Sequence, residues 1–178
     1  APLHTHNPQY AVLDIKEKRH GLVNDCFDGT PVKAGEKYDF SVFARSTSNK
    51  RGKIIVRLLD EDGKVIGEAR TGKISKTWNK LTAVVEATGS AVNGRIEVIP
   101  DMEGEVNLDM VSLFPQKTFK NRKNGMRADL AQAIADIRPR FVRFPGGCVA
   151  HGNGLDNIYH WENTIGPLES RKPLRNLW

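Results

Sequence analysis

From Gln9 to Phe114 the chain alternates apolar and polar residues in short runs of the kind that form β-strands. Residues 38–45 alternate with a period close to two, which is typical of a strand with one buried face. Residues 53–59 are β-branched and apolar, and the Asp-Gly of the turn at 60–64 favours a hairpin. Further strands are predicted at 65–70, 82–87, 94–99 and 105–114. Regular short strands with no helix between them predict a β-sandwich or jelly roll.

After Met126 the period changes from that of a strand to that of a helix. One apolar helical stripe is formed by Leu130, Ala133, Ile134 and Ile137. Pro139 should end this helix, since the residue before a proline is pushed out of the helical region. Residues 140–144 then predict a short strand, and 145–147 a sharp turn. We therefore expect a β-sandwich over residues 1–116, followed over 117–178 by an incomplete α/β segment, one helix–strand unit.

Composition and charge exclude several classes of protein. Hydrophobic residues make up 39% and charged residues 27% of the 178, which suffices for a core and argues against disorder. Lys and Arg number 27 against 21 Asp and Glu, a formal charge of +6 that is spread along the chain. Spread charge does not make the basic stripe of a nucleic-acid binder, and the densest basic run, 117–123, is interpreted as a solvated connector. No apolar stretch is long enough to span a membrane, and the N-terminus does not have the pattern of a signal peptide.

Metal and disulfide chemistry are weakly indicated. Cys26 and Cys148 are too few for a disulfide framework. His4 and His6 could bind a metal ion, although flexible terminal histidines are the simpler interpretation. Asp109 could help to hold calcium, but a hydrogen bond near the strand end explains it as well.

The turn at 145–147 and its neighbours are the first candidates for a site. Glycines there let backbone approach a ligand, as at the carboxyl ends of barrel strands, but composition alone favours a plain tight turn. Arg143, on an apolar strand, must either reach solvent or meet a carboxylate. Cys148 could be a nucleophile, but no partnered base is evident, so a buried structural thiol is favoured.

Carboxylates and aromatic rings suggest a carbohydrate site only weakly. A pair of carboxylates would indicate glycosidic-bond cleavage, and the last segment offers Asp156, Glu162 and Glu169, each of which is also explained as a surface or loop residue. Three aromatic residues could stack on a sugar ring, although packing in the core is the favoured role: Tyr10, Tyr38 and Trp78.

Several motifs resemble the α-L-arabinofuranosidases of glycoside hydrolase family 51. RFVRFPGGC (140–148) resembles the second barrel strand of that family, and NGMRADL (124–130) the helix that enters it. YHWENTIGP (159–167) and RKP (171–173) are similar to the loop that follows. VNLDMVSLFP (106–115) and WNKL (78–81) resemble carbohydrate-binding modules with a galactose-binding-like jelly roll. In some bacterial members such a module lies between the first and second strands of the catalytic barrel.

The resemblance implies a retaining exo-hydrolase that removes terminal arabinofuranosyl groups from arabinan or arabinoxylan. Its substrate-binding residues here would be Arg143, Cys148, at a position that is commonly Asn, and Trp178. The acid/base glutamate of the family follows an Asn in an Asn-Glu pair, and this sequence has no such pair. The nucleophile comes after the seventh strand, well past residue 178. We therefore expect an internal fragment without the catalytic carboxylates, which hydrolyses nothing by itself.

The same resemblance sets the expected partners. It implies no metal or organic cofactor and an arabinose-containing plant polysaccharide or oligosaccharide as ligand. The charge and the hydropathy described above add the expectation of no nucleic-acid and no membrane partner. The resemblance places the parent protein outside the cytoplasm, extracellular or periplasmic, and leaves a homo-oligomer open. Two alternatives for the sandwich remain: a non-catalytic carbohydrate-binding module, or a structural module that packs on the barrel.

Overall fold

The computed structural model describes residues 1–18 and 20–174. The described chain divides into two compact units. The first runs from Tyr10 to Ala131, and the second joins Ala1–Gln9 to the described residues from Gln132 onward. The predicted boundary at residue 116 remains a prediction.

The unit from Tyr10 to Ala131 is built on two antiparallel sheets. A four-stranded sheet has the order β1-β9-β4-β7, and the other has the order β2-β8-β5-β6, with β3 also paired to β8. The strands are β1 (Ala11–Ile15), β2 (Leu22–Asn24), β3 (Thr30–Val32), β4 (Lys37–Arg45), β5 (Lys53–Leu59), β6 (Val65–Lys73), β7 (Asn79–Glu86), β8 (Ala91–Pro100) and β9 (Gly104–Pro115). The predicted β-sandwich is confirmed, and no α-helix occurs among its described strands.

The core lies between the two sheets and is made by alternate residues of their central strands. Strand β4 contributes Phe40 and Val42, and β5 contributes Ile54 and Val56, all buried in one cluster. In β4, the alternation that predicted the strand also fixes which of its faces is apolar. Burial of these faces supplies the main stabilisation of the fold.

The hairpin between β5 and β6 forms as predicted, and its turn also contacts the start of β8. Gly63 adopts a φ of +84°, which the Asp-Gly sequence supplies at no steric cost. Next to it, the Glu61 carboxylate accepts hydrogen bonds from the backbone N–H groups of Val92, at 2.7 Å, and Asn93, at 2.8 Å. These contacts hold the hairpin against the start of β8. Hydrogen bonds from backbone N–H groups, of which that from Asn93 has the largest effect, also lower the pKa of the Glu61 carboxyl.

Glu61→Gln should therefore lower the melting temperature near pH 7 and have little effect in acid. The folded pKa lies below the ordinary value of 4.5, so the ionised carboxylate stabilises the fold above that value. The contribution is lost as the pH falls through the lowered folded pKa. Melting curves at about pH 7 and well below pH 4 measure it, with exposed Glu17→Gln as the matched control. A difference that persists unchanged in acid would contradict the assignment.

Helix α1 (Ala128–Ile137) forms where the apolar stripe predicted it. It ends before Pro139, and Arg138 already has a φ of +52°. Leu130, Ile134 and Ile137 nevertheless remain exposed, and Ala131 alone is buried in this helix. The apolar stripe therefore predicts the helix correctly, but no other described residue buries it.

The strand predicted at 140–144 is wrong. These residues form no strand, and three apolar side chains are largely exposed: Phe141 (84%), Val142 (77%) and Phe144 (79%). A strand needs a neighbour for its backbone N–H and C=O groups, and none of the described strands pairs with this segment. The sequence has the composition of a buried strand, but the described chain provides no sheet for it.

None of the helices in the described part of the chain is long and apolar enough to cross a membrane. No three His, Cys, Asp or Glu side chains between residues 1 and 174, Arg19 aside, lie together in a way that could hold a metal ion.

Candidate functional site

The glycine turn is a left-handed corner that leads into a short helix. Gly146 has a φ of +105°, a conformation that side chains with a Cβ rarely adopt, and α2 (Gly147–His151) begins at the next residue. A Cβ placed on Gly147 would lie 3.4 Å from Nη2 of Arg143. The turn therefore brings the Arg143 guanidinium against the backbone of the glycine pair.

Arg143 and Cys148 are both exposed beside this turn. Of the two alternatives for Arg143, the structure selects solvent, since no described carboxylate pairs with it. The favoured interpretation of Cys148 as a buried thiol is wrong, because the cysteine is free and exposed at the start of α2. The turn thus presents a cation and a thiol within six residues of each other. Trp178, the third predicted substrate contact, lies outside the described residues.

The segment after α2 folds back on the turn. The Tyr159 backbone N–H donates to the Ala150 carbonyl at 3.1 Å, and its ring meets that of Phe144 edge to face at 6.4 Å. Gly152 has a φ of +55° and is packed so closely that a Cβ there would lie 2.2 Å from the Asn157 carbonyl oxygen. These contacts fix the loop that follows the helix.

The three carboxylates of this region do not form a catalytic pair. Asp156 and Glu162 are exposed and Glu169 is half-buried, and among the described residues no hydrogen bond joins any two of them. Oε1 of Glu162 lies 3.0 Å from Nδ1 of His160, within hydrogen-bond distance. Its own backbone N–H and then His160 lower the pKa of the Glu162 carboxyl. A general acid in a glycosidase needs the opposite shift.

The aromatic candidates of the sandwich have structural contacts. Tyr38 is buried, its hydroxyl accepts from the Lys33 N–H at 2.9 Å, and burial raises its pKa. Tyr10 and Trp78 are half-buried and meet edge to face at 5.4 Å. The Arg45 guanidinium lies 4.9 Å from the Trp78 ring and 5.5 Å from the Tyr10 ring. The core role is confirmed for Tyr38, and the other two rings pack on a cation.

The residues considered for metal binding also have hydrogen bonds of their own. Asp109 accepts from the N–H of Met110 at 2.7 Å, as the simpler interpretation predicted. Nδ1 of His4 accepts from the His6 N–H at 3.1 Å, and Nδ1 of His6 lies 2.8 Å from the Ser170 carbonyl oxygen. The sequence analysis did not identify a row of outward-facing polar residues on the four-stranded sheet. The polar residues that alternate with apolar ones in 38–45 are the pattern that could have indicated it.

Comparison with known proteins gives a consistent family. Residues 133–178 match the family model of the α-L-arabinofuranosidase 1 domain. The chain is 38% identical over 161 residues to an extracellular exo-α-L-arabinofuranosidase of Streptomyces chartreusis, covering 84% of this chain and 19% of that protein. It is 35% identical over 158 residues to α-L-arabinofuranosidase 1 of Arabidopsis thaliana, covering 85% and 22%.

A solved structure extends this likeness to the fold. The arabinose-bound MgGH51 α-L-arabinofuranosidase superimposes with a TM-score of 0.85 at 30% identity, over 96% of this chain and 29% of that one. The chain thus spans about a fifth to less than a third of the length of these relatives. Both the sandwich and the segment with the glycine turn fall within the superposed part. The chain therefore belongs to the α-L-arabinofuranosidases of glycoside hydrolase family 51, of which it is a segment.

Proposed function

We propose that this chain is part of a retaining, exo-acting α-L-arabinofuranosidase that releases terminal arabinofuranose from arabinan or arabinoxylan. The observation that carries the proposal is the superposition of 96% of the chain on an arabinofuranosidase whose structure holds arabinose. The relatives named exo-α-L-arabinofuranosidase and α-L-arabinofuranosidase support the same reaction class. The polymer that is cut and the retention of configuration are part of the proposal.

In this reaction the chain would contribute substrate contacts. The guanidinium of Arg143 is a planar fork of N–H donors that suits sugar hydroxyls or a neighbouring carboxylate. Its exposure and its position against the glycine turn leave these donors available. Cys148, two residues after Gly146, and Trp178 are proposed as further contacts to the sugar.

The chain by itself should not hydrolyse a glycoside. A retaining mechanism needs two carboxyl groups about 5–5.5 Å apart, one of them an acid with a raised pKa. The pKa of the Glu162 carboxyl, in the segment that follows RFVRFPGGC, is shifted downward. The acid/base and the nucleophile are therefore proposed to lie in the part of the relatives that this chain does not span.

Hydrolysis of an aryl α-L-arabinofuranoside tests both statements. The 178 residues should give no release of the phenol above the buffer rate, whereas the whole protein should turn over and give the retained anomer first, as seen by proton NMR. Turnover by the 178 residues would contradict the placement of the carboxylates. An inactive or an inverting whole protein would contradict the proposed reaction.

The setting of this reaction is also proposed. The Streptomyces chartreusis relative is named as extracellular, which supports action outside the cytoplasm. An arabinose-containing polysaccharide or oligosaccharide is the proposed partner, and a periplasmic location and a homo-oligomer remain predictions.

A further inference from the structure

The outer face of the four-stranded sheet carries a groove of about 300 Å³ that the proposed reaction does not use. Strands β9, β4 and β7 form its floor, and the segment at Lys123 and Asn124 forms one wall. We call it the sheet groove. A volume of this size is at the lower end of the range of small-molecule sites.

The floor of the sheet groove has a row of three hydroxyl groups. In the strand register Ser41 of β4 lies opposite Ser112 of β9 on one side and Thr82 of β7 on the other. The Ser41 and Ser112 oxygens lie 2.7 Å apart. Since neighbouring strands are about 4.8 Å apart, the row spans about 10 Å. All three hydroxyls can both donate and accept hydrogen bonds.

The next row along the strands places a carboxylate between two apolar side chains. Asp39 lies opposite Phe114 and opposite Val84, and both apolar side chains are partly exposed. Gln116 Nε2 donates to Oδ1 of Asp39 at 2.7 Å, which orients the carboxylate. Within the described residues no group donates to its other oxygen, so one strong acceptor is left for a ligand.

These two rows match the two surfaces of a sugar ring. A sugar presents C–H groups that pack on an aromatic or aliphatic side chain, and hydroxyl groups that a carboxylate, an amide and other hydroxyls can bind. The charge distribution favours a neutral ring over an anion. The carboxylate of Asp39 is half-buried at the floor, whereas the lysines of the groove, Lys80 and Lys123, are exposed at its edge.

We propose that the sheet groove binds a neutral sugar ring of an oligosaccharide, with Asp39 and the hydroxyl row as polar contacts and Phe114 as the apolar one. This site shares no residue with the one proposed around Arg143, and it would give the sandwich a role in holding the polysaccharide. The proposal rests on the proposed function only for the choice of arabinose-containing probes.

Titration of the 178-residue chain with α-1,5-arabinotriose and with β-1,4-xylotetraose tests the proposal. Backbone amide shifts in proton–nitrogen NMR should move in a saturable way at Ser41, Thr82 and Ser112. Asp39→Asn keeps an acceptor for Gln116 but loses the charge, and should weaken binding about tenfold. Phe114→Ala should weaken it about fivefold. The matched controls are Asp14→Asn, on the same sheet outside the groove, and Phe27→Ala, and both should bind as the unchanged chain does.

Each outcome decides one way. Saturable shifts in the groove with either sugar, weakened by the two groove variants alone, support the proposal. Binding of the xylo-oligosaccharide without the arabino-oligosaccharide supports the groove while speaking against an arabinan as the substrate. No saturable shift with a well-dispersed spectrum overturns the proposal, as does binding that leaves the groove amides unmoved.

Discussion

Phe40→Ala is expected to cost about 3–5 kcal/mol of unfolding free energy, a large part of the roughly 5–15 kcal/mol that holds an ordinary domain. Phe40 is 1% exposed at the centre of β4. Its register partners are Ala83 on β7 and Leu113 on β9, both partly buried against the core. Neither neighbour can fill the space of a lost ring, because each is held by its own strand.

Urea unfolding followed by far-ultraviolet circular dichroism measures this cost. The midpoint should fall steeply while the slope with urea stays the same, since the variant exposes a similar surface on unfolding. Phe27→Ala is the matched control, because Phe27 is 96% exposed and its removal should change stability by no more than about 0.5 kcal/mol. Equal losses for the two phenylalanines would contradict the assignment of the core to the space between the sheets.

Arg143→Ala in the whole protein is expected to lower kcat/KM on an aryl α-L-arabinofuranoside by about 10- to 100-fold. This is the effect of removing one or two hydrogen bonds from a charged donor, at about 1.5–3 kcal/mol. The expectation follows from the exposed guanidinium at the glycine turn. Arg143→Lys should recover only part of the loss, because an ammonium group lacks the planar fork of donors.

Arg140→Ala separates this role from a general effect of charge. Arg140 lies three residues earlier in the same exposed segment and carries the same charge. It should leave kcat/KM within about twofold of the unchanged enzyme, with the melting temperatures of all three variants measured alongside. If Arg140→Ala loses as much activity as Arg143→Ala with unchanged stability, the contact assigned to Arg143 is wrong.

Most strands of the sandwich could be predicted because their pattern is local. Residues 53–59 match β5 residue for residue, and the predicted strand at 38–45 falls within β4. The Asp-Gly turn was equally predictable, since it needs only a residue that tolerates positive φ. The helix at Ala128–Ile137 followed from its stripe and from Pro139.

The candidate sites were predictable only in part. The sequence resemblance pointed to Arg143 and Cys148, but the exposure of the thiol contradicted the favoured buried interpretation. The rows of the sheet groove join residues about 40 and 70 positions apart in sequence, such as Ser41 with Thr82 and with Ser112. A single alternating run shows that Asp39 and Ser41 share a face, but not which residues lie opposite them.

By itself, the sequence determined where most strands of the sandwich, the hairpin between β5 and β6 and the helix α1 form, and it carried the motifs of its family. These are properties of neighbouring residues, whose spacing decides local conformation and the face that becomes apolar. Tertiary structure alone decided the strand order β1-β9-β4-β7, the partners of Ser41 and the fate of 140–144. A strand exists only when another strand takes up its backbone hydrogen bonds, so an apolar run without a neighbour stays unpaired however well its composition suits a sheet.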